Sequence, residues 1–580
     1  MSKLKLLKAA QSLRDVAILF GFKPAALAYL LYIKPTNSRY HAFQIPKRSG
    51  GARNILSPGD DLKLLQQRLS SFLQDCVREA NDAHGWEDRY AHGFTRFRSI
   101  ITNAEKHRDR RYVFNLDLEN FFPSINFGRV RGFFLKNRTF AVHPKVATVL
   151  AQIACHENSL PQGSPCSPVL SNLIGHILDV RLCRLATISG CTYSRYADDI
   201  TFSTNRESFP EKVAKAMDGI KHRWVVGDSL RDTVASSGFT INHEKTRMQY
   251  RDSRQDVTGL VVNRRVNTRP EYRSTIRAMV YRLRKTGKFH VDRWELSPSG
   301  VPLKKQVEGA INQLQGMLAH IYTVDQNRPN MISRQALAQR YPGLERENSR
   351  ERLYRHFLLY KEFYSATKPT IICEGKTDIV YIRNSIKSLA VAFPLLASNA
   401  NTAATLNVRI FRFPNTITGK ILGLHDGGVG NMCKLVSQYL TTIKRFTAPV
   451  SKEPVIMLVD NDQGGKSVYD AARKFNQAIP PIGGNFAWVR ANLYLVCTPL
   501  EPNQQTSVIE DCFSGATLGT RINGRSFSPA DKYDPGQYYG KNEFSEMIEQ
   551  SSKVIDFSGF SVLLSRLEDV LRAHRAKQVP

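Results

Sequence analysis

Two aspartate pairs, each set in an apolar stretch, limit what this chain can fold into. The stretch RYADDITF places Asp198 and Asp199 between apolar residues, and IMLVDNDQGG places Asp460 and Asp462 at the end of a second apolar run. A buried carboxylate without a partner is costly, so each pair needs a positive charge or a hydrogen-bond donor beside it. The fold must therefore provide two separate sites for acidic groups.

The length and the charge of the chain indicate several domains and a polyanionic partner. At 580 residues the chain is too long for one ordinary core, and its length predicts roughly three to four domains. The net charge is +31: residues 1–365 hold 58 Lys+Arg and 33 Asp+Glu (+25), and residues 366–580 hold 24 and 18 (+6). Such an excess favours binding to nucleic acid, and a merely basic soluble surface is the alternative.

The cysteines and the N-terminal segment are typical of a cytoplasmic protein. The nine cysteines are scattered without a CxxC pair, which argues against a zinc ribbon or a disulfide scaffold. The apolar stretch VAILFGF is interrupted by Lys23 and Pro24, and neither half reaches the roughly 20 residues that span a membrane. We therefore expect two helices that meet at a proline break, no membrane segment and a cytoplasmic location.

The first aspartate pair has a third carboxylate upstream of it. NLDLENFFPSI places Asp117 at the end of a predicted strand, and YADD places Asp198 and Asp199 in the turn of a predicted hairpin. Either element alone is compatible with a structural role, because Asp is a common turn residue. Together they suit Mg²⁺, and two such ions about 4 Å apart can clamp the attacking and leaving oxygens of a phosphoryl transfer. Asp117 and Asp198 form the minimal ligand set, with Asp199 in support.

Six short motifs in this region resemble those of reverse transcriptases, and of the retron class in particular. They occur in the family's order: NAEKH at 103–107, DLENFF from Asp117, LPQGSPCSPVLSN at 160–172, YADD, GFTINHEKT at 238–246 and VTG at 257–259. The resemblance implies an α+β right-hand polymerase with fingers, palm and thumb. It also implies that the three aspartates bind two catalytic Mg²⁺ ions, with Mn²⁺ as an alternative metal.

The same resemblance assigns roles to residues around the acids. Phe122 lies where the family keeps an aromatic ring that blocks a ribose 2′-OH, which implies selection of deoxynucleotides. The other expected nucleotide contacts are Lys47 and Arg53 on a predicted hairpin, Gln162 and Gly163 in the Gln-Gly loop, and Lys245. Lys47 and Arg53 suit phosphate oxygens, and plain surface charge is the alternative. Asn103 and His107 are expected to contact RNA or to be structural.

A basic helix is predicted at 271–290, in EYRSTIRAMVYRLRKTGKFH. Its apolar residues provide a buried side, and Arg273, Arg277 and Arg284 approximate one exposed face. It occupies the place of the family's thumb, which grips structured RNA, so we expect phosphate contacts and salt-dependent binding. A solvated helix face without a ligand is the alternative.

The second aspartate pair belongs to a pattern of buried strands that alternate with helices. TIICEGKTD brings Glu374 and Asp378 to the end of one predicted strand, and VIMLVDND brings Asp460 and Asp462 to the end of another. Because α/β sheets bind ligands at the carboxyl ends of their strands, these acids predict a second site for hard metal ions. Acids that lie at strand ends by coincidence are the alternative.

The E-G-x-x-D element and the D-x-D pair resemble the TOPRIM domain of topoisomerases, primases and OLD-type nucleases. The resemblance implies a mainly parallel α/β sheet, Mg²⁺ held by Glu374, Asp460 and Asp462, and chemistry on phosphodiester bonds. The chain departs from many members in having Gly464 where they carry a third acid. Residues expected to support the site are Asp378, Glu510, Asp511 and Lys541.

These patterns predict four parts: fingers and palm at 1–265, a thumb at 266–325, a connecting segment at 326–366 and a TOPRIM effector domain at 367–580. The expected function is that of a retron reverse transcriptase, which uses dNTPs to copy part of its own noncoding RNA into a branched, RNA-linked single-stranded DNA (msDNA). The TOPRIM domain is expected to cleave a target nucleic acid in anti-phage defence.

Two alternative hypotheses are left open by the sequence. In one, the C-terminal part is a non-catalytic module that binds nucleic acid or forms oligomers. In the other, the chain is a reverse transcriptase of an intron or of a diversity-generating element, although NAEKH and VTG argue against that assignment.

Overall fold

The computed structural model describes most of the chain as two compact units. The described residues are 2–47, 51–85, 89–217, 222–297, 301–327, 348–400, 403–412, 416–424, 427–530 and 532–577. The first unit comprises Met1–Arg273, Asp292–Val307 and Thr323–Met331, and the second comprises Ser274–Val291, Glu308–Tyr322 and Ile332–Pro580.

Helices and strands alternate along much of the chain. The described helices are α1 (Lys3–Ala9), α2 (Leu13–Leu19), α3 (Pro24–Ala28), α4 (Asp60–His84), α5 (Ile100–Lys106), α6 (Phe127–Lys136), α7 (Pro144–Ala154), α8 (Ser167–Ser189), α9 (Asp228–Ser236), α10 (Pro270–Thr286), α11 (Ile311–Gln326), α12 (Ser349–Leu359), α13 (Lys376–Ser388), α14 (Ile417–Leu422), α15 (Val429–Ile443), α16 (Gln463–Arg473), α17 (Gly515–Leu518), α18 (Lys541–Gln550) and α19 (Ser561–Ala576). The described strands are β1 (Tyr40–Pro46), β2 (Ala52–Pro58), β3 (Tyr112–Glu119), β4 (Thr192–Tyr196), β5 (Asp199–Thr204), β6 (Ala214–Ala216), β7 (Trp224–Val226), β8 (Thr240–Tyr250), β9 (Asp256–Val257), β10 (Leu260–Val261), β11 (His290–Leu296), β12 (Pro302–Glu308), β13 (Thr370–Ile372), β14 (Ala397–Ala400), β15 (Ala403–Leu406), β16 (Arg409–Ile410), β17 (Val455–Val459), β18 (Ala487–Arg490), β19 (Leu493–Cys497), β20 (Ser526–Phe527) and β21 (Tyr538–Tyr539).

The N-terminal helices confirm the predicted proline break. Pro24 is the first residue of α3, where its missing N–H removes no helical hydrogen bond. Ser12 and Asp15 form a capping box that fixes the start of α2. In the described part of the chain no single helix is long and apolar enough to cross a membrane; α2 and Pro24–Ile33 meet that criterion only as a pair bent by 109°.

A four-stranded antiparallel sheet, in the order β4-β5-β3-β8, lies at the centre of the first unit. β4 and β5 are the predicted hairpin around YADD, and β3 is the predicted strand that contains Asp117. Helix α8 is apolar on most of its sides, which is typical of an interior helix. It buries Leu170, Leu178 and Leu182 in the core that supports the sheet.

Strands β1 and β2 form the antiparallel hairpin that the sequence predicts before α4, with Ile45 opposite Arg53. Strand β1 is largely exposed and β2 is mostly half-buried, whereas α4 buries an apolar face that includes Leu62, Leu65 and Leu69. The hairpin therefore projects from a helix that is anchored in the core.

A five-stranded sheet, in the order β16-β13-β17-β19-β18, lies at the centre of the second unit. Its neighbouring strands run parallel except for β18, which is antiparallel to β19. Every residue of β13, β17 and β19 is buried, as expected for parallel strands that are covered on both faces. The mainly parallel α/β sheet is thus present, but many α/β folds share it, so TOPRIM stays a prediction.

The compact units divide the chain differently from the predicted boundaries. Residues of α10 from Ser274 onwards group with the C-terminal region rather than with the palm. The backbone carbonyl of Arg284 accepts hydrogen bonds from the amides of Thr447 and Ala448, both at 3.0 Å. The Thr447 hydroxyl also donates to the carbonyl of Lys285 at 3.0 Å. These bonds attach the end of α10 to the loop that follows α15.

Candidate active sites

The central sheet of the first unit brings its three predicted acids together. Asp117 of β3 lies directly opposite Asp199 of β5, and the Leu118 amide donates to the carbonyl of Asp198 at 3.0 Å. Asp198 stands in the tight turn between β4 and β5, after Ala197, whose φ of 56° is unusual for a residue with a side chain. The register of the strands therefore brings together acids that lie far apart in the sequence.

The three acids influence one another electrostatically, and the Lys245 ammonium lies beside Asp117. Burial, followed by the charge of Asp117, raises the pKa of Asp198. Burial and the charges of Asp198 and Asp117 raise the pKa of Asp199 to about 6. Lys245 of β8 donates to the Asp117 carboxylate at 2.8 Å. Burial acts to lower the pKa of Lys245, but its bond to Asp117 and the nearby carboxylates raise that pKa overall.

The chemistry of this donor set fits Mg²⁺. The charge of Asp117 raises the pKa of Asp198, and the charges of Asp198 and Asp117 raise the pKa of Asp199, so the carboxylates lie close enough to repel. A divalent cation would relieve that repulsion. Among the described residues, no three His, Cys, Asp or Glu side chains already form a group that could hold a metal ion. Asp117, Asp198 and Asp199 are the residues that would hold it, and this role stays a prediction.

The Gln-Gly loop contacts the hairpin of β1 and β2 through backbone atoms. The amide of Leu56 donates to the carbonyl of Gln162 at 2.8 Å. Gly163 has a φ of 123°, and a Cβ there would lie 2.5 Å from the carbonyl oxygen of Leu56. Only glycine fits this position, so Gly163 sets the approach of the loop to the hairpin. Its predicted contact with a nucleotide is untested.

The hairpin carries the two predicted phosphate ligands. The charge of Arg53 on β2 acts to lower the pKa of Asp198. Lys47 is exposed at the end of β1, and its amide donates to the carbonyl of Gly51 at 2.9 Å. The two cations therefore lie on one hairpin, and Arg53 is within electrostatic reach of the acids.

Phe122 follows the strand that carries Asp117 and is half-buried. Its ring centroid lies 5.5 Å from that of Phe121 and 6.0 Å from that of Phe94. These ring contacts restrict its orientation, as a residue that screens the sugar of a nucleotide would require.

The expectation that Asn103 and His107 contact RNA requires correction, because both side chains are buried. The two ring nitrogens of His107 each lie 2.7 Å from a serine hydroxyl, those of Ser203 and Ser194. The Ser194 hydroxyl donates to the Asn103 side-chain oxygen at 2.7 Å. The NAEKH element thus supports β4 and β5 from within, which is the structural alternative.

The three arginines predicted to bind RNA on α10 have different surroundings. Arg277 is exposed. Arg273 donates to the side-chain oxygen of Asn267 at 3.0 Å. Arg284 is half-buried, and its guanidinium lies 3.1 Å from Nδ1 of His356. Arg284 is therefore engaged in the packing of the second unit, and Arg277 is the arginine of the three that suits an RNA phosphate best.

The second unit brings together its predicted acids at the carboxyl ends of β13 and β17. Burial and the charges of Asp378 and Asp462 raise the pKa of Glu374 to about 7. Burial, followed by the charges of Asp378, Glu374 and Glu510, raises the pKa of Asp460 to about 8. The sheet therefore creates one acidic cluster from segments that lie far apart in sequence.

The cluster also contains a cation and an oxygen without a donor. Lys541, at the start of α18, forms an ion pair with Glu510 at 3.1 Å. Oε2 of Glu374 is buried and has no hydrogen-bond partner among the described residues. An unpaired buried oxygen among several carboxylates suits a hard cation such as Mg²⁺, and Glu374 and Asp460 are the residues that would hold it.

Other acids at this site are engaged with the backbone. Asp462 caps α16 by accepting from the amide of Gly465 at 2.8 Å, and Asp378 accepts from the amide of Gly375 at 2.7 Å. Asp511 is exposed and accepts from the amide of Val508 at 2.8 Å within its own turn. These capping bonds are sufficient structural reasons for the three residues, so a catalytic role for them stays a prediction.

Gly464 leaves no room for the third acid that many TOPRIM domains carry. A Cβ at this position would lie 2.7 Å from Cγ2 of Val429 and 3.1 Å from a carboxylate oxygen of Asp462. The glycine is thus matched to its neighbours, and an aspartate would displace them.

Sequence reasoning did not identify Asp179 and Arg195, which form a buried ion pair beside the first site. Arg195 precedes YADD by one residue, and its guanidinium donates to the carbonyl of Ala197 at 3.0 Å. A single acid in an apolar helix has no pattern that pairs it with a distant strand. The arginine in RYADD, a charge inside an apolar stretch, was the available signal.

Comparisons with known proteins identify a reverse transcriptase region in the chain. The family model for reverse transcriptase (RNA-dependent DNA polymerase) matches residues 45–278. The retron Mx65 reverse transcriptase of Myxococcus xanthus is 35% identical over 46% of this chain and 62% of its own length. The retron Ec86 reverse transcriptase of Escherichia coli is 31% identical over 48% of this chain and 79% of its own length.

The chain spans 62% and 48% of the length of two Myxococcus xanthus relatives, the retron Mx65 and retron Mx162 reverse transcriptases. Among solved structures, an apo telomerase from Candida tropicalis aligns over 43% of this chain and 61% of its own, at 15% identity and a TM-score of 0.25. That score adds nothing to the assignment, which depends on the sequence matches.

Proposed function

Because the chain belongs to the retron reverse transcriptases, we propose that its first unit synthesises DNA on an RNA template. The observation that carries the proposal is the register of the central sheet, which sets Asp117 opposite Asp199 with Asp198 in the adjoining turn. The raised pKa values of Asp198 and Asp199 support a site built to receive a cation.

Each group around the acids has a proposed task in nucleotide transfer. When bound, Mg²⁺ supplies neutralisation of phosphate charge and orientation of the reacting oxygens. Arg53 and Lys47 bind the triphosphate, and Phe122 excludes a ribose 2′-OH. Lys245 keeps the Asp117 carboxylate oriented, since its ammonium lies 2.8 Å away. Gly163 keeps the Gln-Gly loop against the hairpin, where the nascent base pair would lie.

The proposed template is the noncoding RNA that accompanies a retron, and the product is RNA-linked single-stranded DNA. The +25 charge of residues 1–365 supports a polyanionic partner. Arg277, exposed on α10, is the proposed phosphate contact outside the palm. The proposal places this reaction in the cytoplasm, with dNTPs as substrates.

Primer extension on an RNA template tests the proposal. Purified full-length protein is incubated with an annealed RNA template and DNA primer, dNTPs and Mg²⁺. Asp198→Asn is expected to abolish extension. The matched control is Asp232→Asn, because Asp232 is an exposed acid of α9 with a 77% exposed side chain. Extension by Asp198→Asn at the wild-type rate would contradict the assignment.

For the second unit we propose a metal-dependent nuclease of the TOPRIM type that acts as the effector in anti-phage defence. The observation that favours it is the unpaired Oε2 of Glu374 beside Asp460, at the carboxyl ends of two parallel strands. Lys541 provides a cation that could meet the developing charge of a cleaved phosphate. A module that only binds nucleic acid or forms oligomers is the competing hypothesis.

Cleavage assays separate these hypotheses for the second unit. Full-length protein carrying Asp198→Asn, which silences the first site, is incubated with Mg²⁺ and labelled DNA, tRNA or other RNA. Asp460→Asn added to this background is expected to abolish cleavage, and Asp470→Asn, at a half-exposed position of α16, is the control. Cells carrying Glu374→Gln are expected to lose protection from phage. Protection that survives Glu374→Gln and Asp460→Asn but not Asp198→Asn would contradict the effector role.

A further inference from the structure

The segment 89–99 is fixed to the acidic turn of the first unit at its inner end. The amide of Arg195 donates to the carbonyl of Tyr90 at 2.9 Å, and the amide of His92 donates to the carbonyl of Arg195 at 2.8 Å. A Cβ on Gly93 would lie 2.5 Å from the amide nitrogen of Ala197. The segment therefore touches the backbone immediately before Asp198, and only glycine permits this approach.

Further contacts hold the segment at Gly93, Arg96 and Ser99. The side-chain amide of Asn172 donates to the carbonyl of Gly93 at 2.7 Å. Arg96 forms an ion pair with Asp75 at 2.6 Å. Ser99 caps helix α5. These contacts fix the backbone of the segment. The fixed backbone in turn determines where its other side chains lie.

Two phenylalanines on this segment have an unusual backbone conformation. Phe94 has a φ of 60° and Phe97 a φ of 62°, a region that bulky side chains rarely adopt. Phe97 is 98% exposed and Phe94 40% exposed, so burial of the rings does not compensate for the strain. The ring of Phe94 also contacts Phe122, at 6.0 Å between centroids. Strain maintained without a packing benefit is typical of a functional surface.

We propose that Phe97, with Phe94 beside it, forms a stacking surface for an unpaired base of the RNA strand that the first site copies. The inference rests on the proposed polymerase function and names a contact of the same site. An exposed aromatic ring binds a base face regardless of base identity, as a template contact must.

The charge around the rings matches a nucleic acid rather than an apolar protein partner. The segment 89–99 contains three Lys+Arg and no Asp+Glu, a net charge of +3. A basic segment that presents an aromatic ring is the combination that single-stranded nucleic acid recognises, through phosphate attraction and base stacking. Gly93 approaches Ala197 and the Phe94 ring contacts Phe122, so a strand held by this segment would lie near the acids.

Substitutions of Phe97 distinguish the contribution of its aromatic ring from that of the loop backbone. Phe97→Gly removes the ring and keeps the loop, because glycine adopts a φ of 62° without strain. Phe97→Trp keeps a stacking ring. The control is Val391→Gly, at an apolar residue of the second unit that is 79% exposed. All three are made in the full chain, and wild-type primer extension is measured first.

The readout is fluorescence of 2-aminopurine, placed at successive template positions of an annealed RNA and DNA primer. Wild type and Phe97→Trp are expected to quench one or two adjacent positions, and Phe97→Gly is expected to lose that quenching. We expect Phe97→Gly to raise the Kd and the KM for the RNA by about tenfold, with kcat changed much less. Val391→Gly is expected to behave as wild type.

The outcomes distinguish this inference from the proposed function. Unchanged quenching, Kd and KM in Phe97→Gly, with active wild type, would overturn the stacking surface and leave the polymerase intact. Quenching that depends on Phe97 in a protein without polymerase activity would overturn the proposed function instead. A change in oligomeric state of Phe97→Gly, without a change in RNA binding, would show a protein interface and overturn the inference.

Discussion

Asp179 and Arg195 form a bidentate ion pair inside the first unit, with Nε to Oδ1 and Nη2 to Oδ2 both at 2.7 Å. The side chain of Asp179 is 2% exposed and that of Arg195 is 0% exposed, so each buried charge is stabilised by the other rather than by water. The third guanidinium nitrogen donates to the carbonyl of Ala197, which has the left-handed backbone that leads into Asp198. The pair therefore positions the turn that carries the acid.

Asp179→Ala is expected to destabilise the first unit by about 3–5 kcal/mol, because it leaves a buried guanidinium without a counter-charge. Denaturant unfolding of the full chain measures the change. Asp228→Ala is the control, because its ion pair with Arg231 is exposed, and no change in stability is expected. The double substitution Asp179→Leu with Arg195→Met is expected to recover stability but not polymerisation. Equal stability of Asp179→Ala and wild type would contradict the role of the pair.

The stability of the first unit is expected to fall as pH drops from about 6.5 towards 3, because of His107. Burial lowers the pKa of His107 from 6.5 to about 3, so the unfolded chain binds a proton in this window that the folded chain does not. Each pH unit then costs about 1.4 kcal/mol.

His107→Gln tests this pH dependence, because glutamine retains hydrogen-bonding capacity and does not titrate. Between pH 6.5 and pH 5 the wild type is expected to lose about 2 kcal/mol more than the variant in urea unfolding. Parallel pH profiles of the two proteins would show that His107 is not the residue responsible.

Gly163→Ala is expected to impair polymerisation and to destabilise the first unit by about 1–3 kcal/mol, because its Cβ would meet the carbonyl of Leu56 at 2.5 Å. The matched control is Gly132→Ala in α6, where a Cβ meets nothing within 4 Å. That substitution is expected to be neutral or stabilising, since alanine favours helix. Primer extension and thermal unfolding are measured for both variants. Equal activity and stability of Gly163→Ala and Gly132→Ala would contradict the close approach of Gly163 to Leu56.

Gly464→Asp is expected to destabilise the second unit by about 1–3 kcal/mol, because the new Cβ would lie 2.7 Å from Val429. Adding Val429→Ala is expected to restore stability by making room. Gly430→Ala, where a Cβ meets nothing within 4 Å, is the control. Thermal unfolding with and without Mg²⁺ compares the variants. A Gly464→Asp protein as stable as wild type would show that the site accepts a third acid.

The sequence predicted the parts of the first site that depend on strand order and missed those that depend on burial. Asp117 and Asp198 could be grouped because the paired acids suit Mg²⁺ and because their motifs occur in the order that reverse transcriptases have. The motif containing Asn103 and His107 matched a family pattern, but a match carries no information on exposure. The structure places both residues beneath the sheet.

Long-range packing explains the remaining differences between prediction and structure. Arg284 has the spacing of an exposed helix face, yet His356, 72 residues later, lies 3.1 Å from its guanidinium. The local sequence of α10 contains no pattern that predicts this contact with His356. The same holds for Gly464, whose small size is dictated by Val429 on another helix.

The backbone bonds from Thr447 and Ala448 to the carbonyl of Arg284 bear on how this protein can be dissected. A chain cut near residue 366, where the sequence suggests a boundary, would remove these donors and leave the carbonyls of Arg284 and Lys285 without them. Loss of activity in such a fragment would then report damage to the remaining part rather than the function of the part removed. Point substitutions in the intact chain are therefore the sound way to assign each activity to its site.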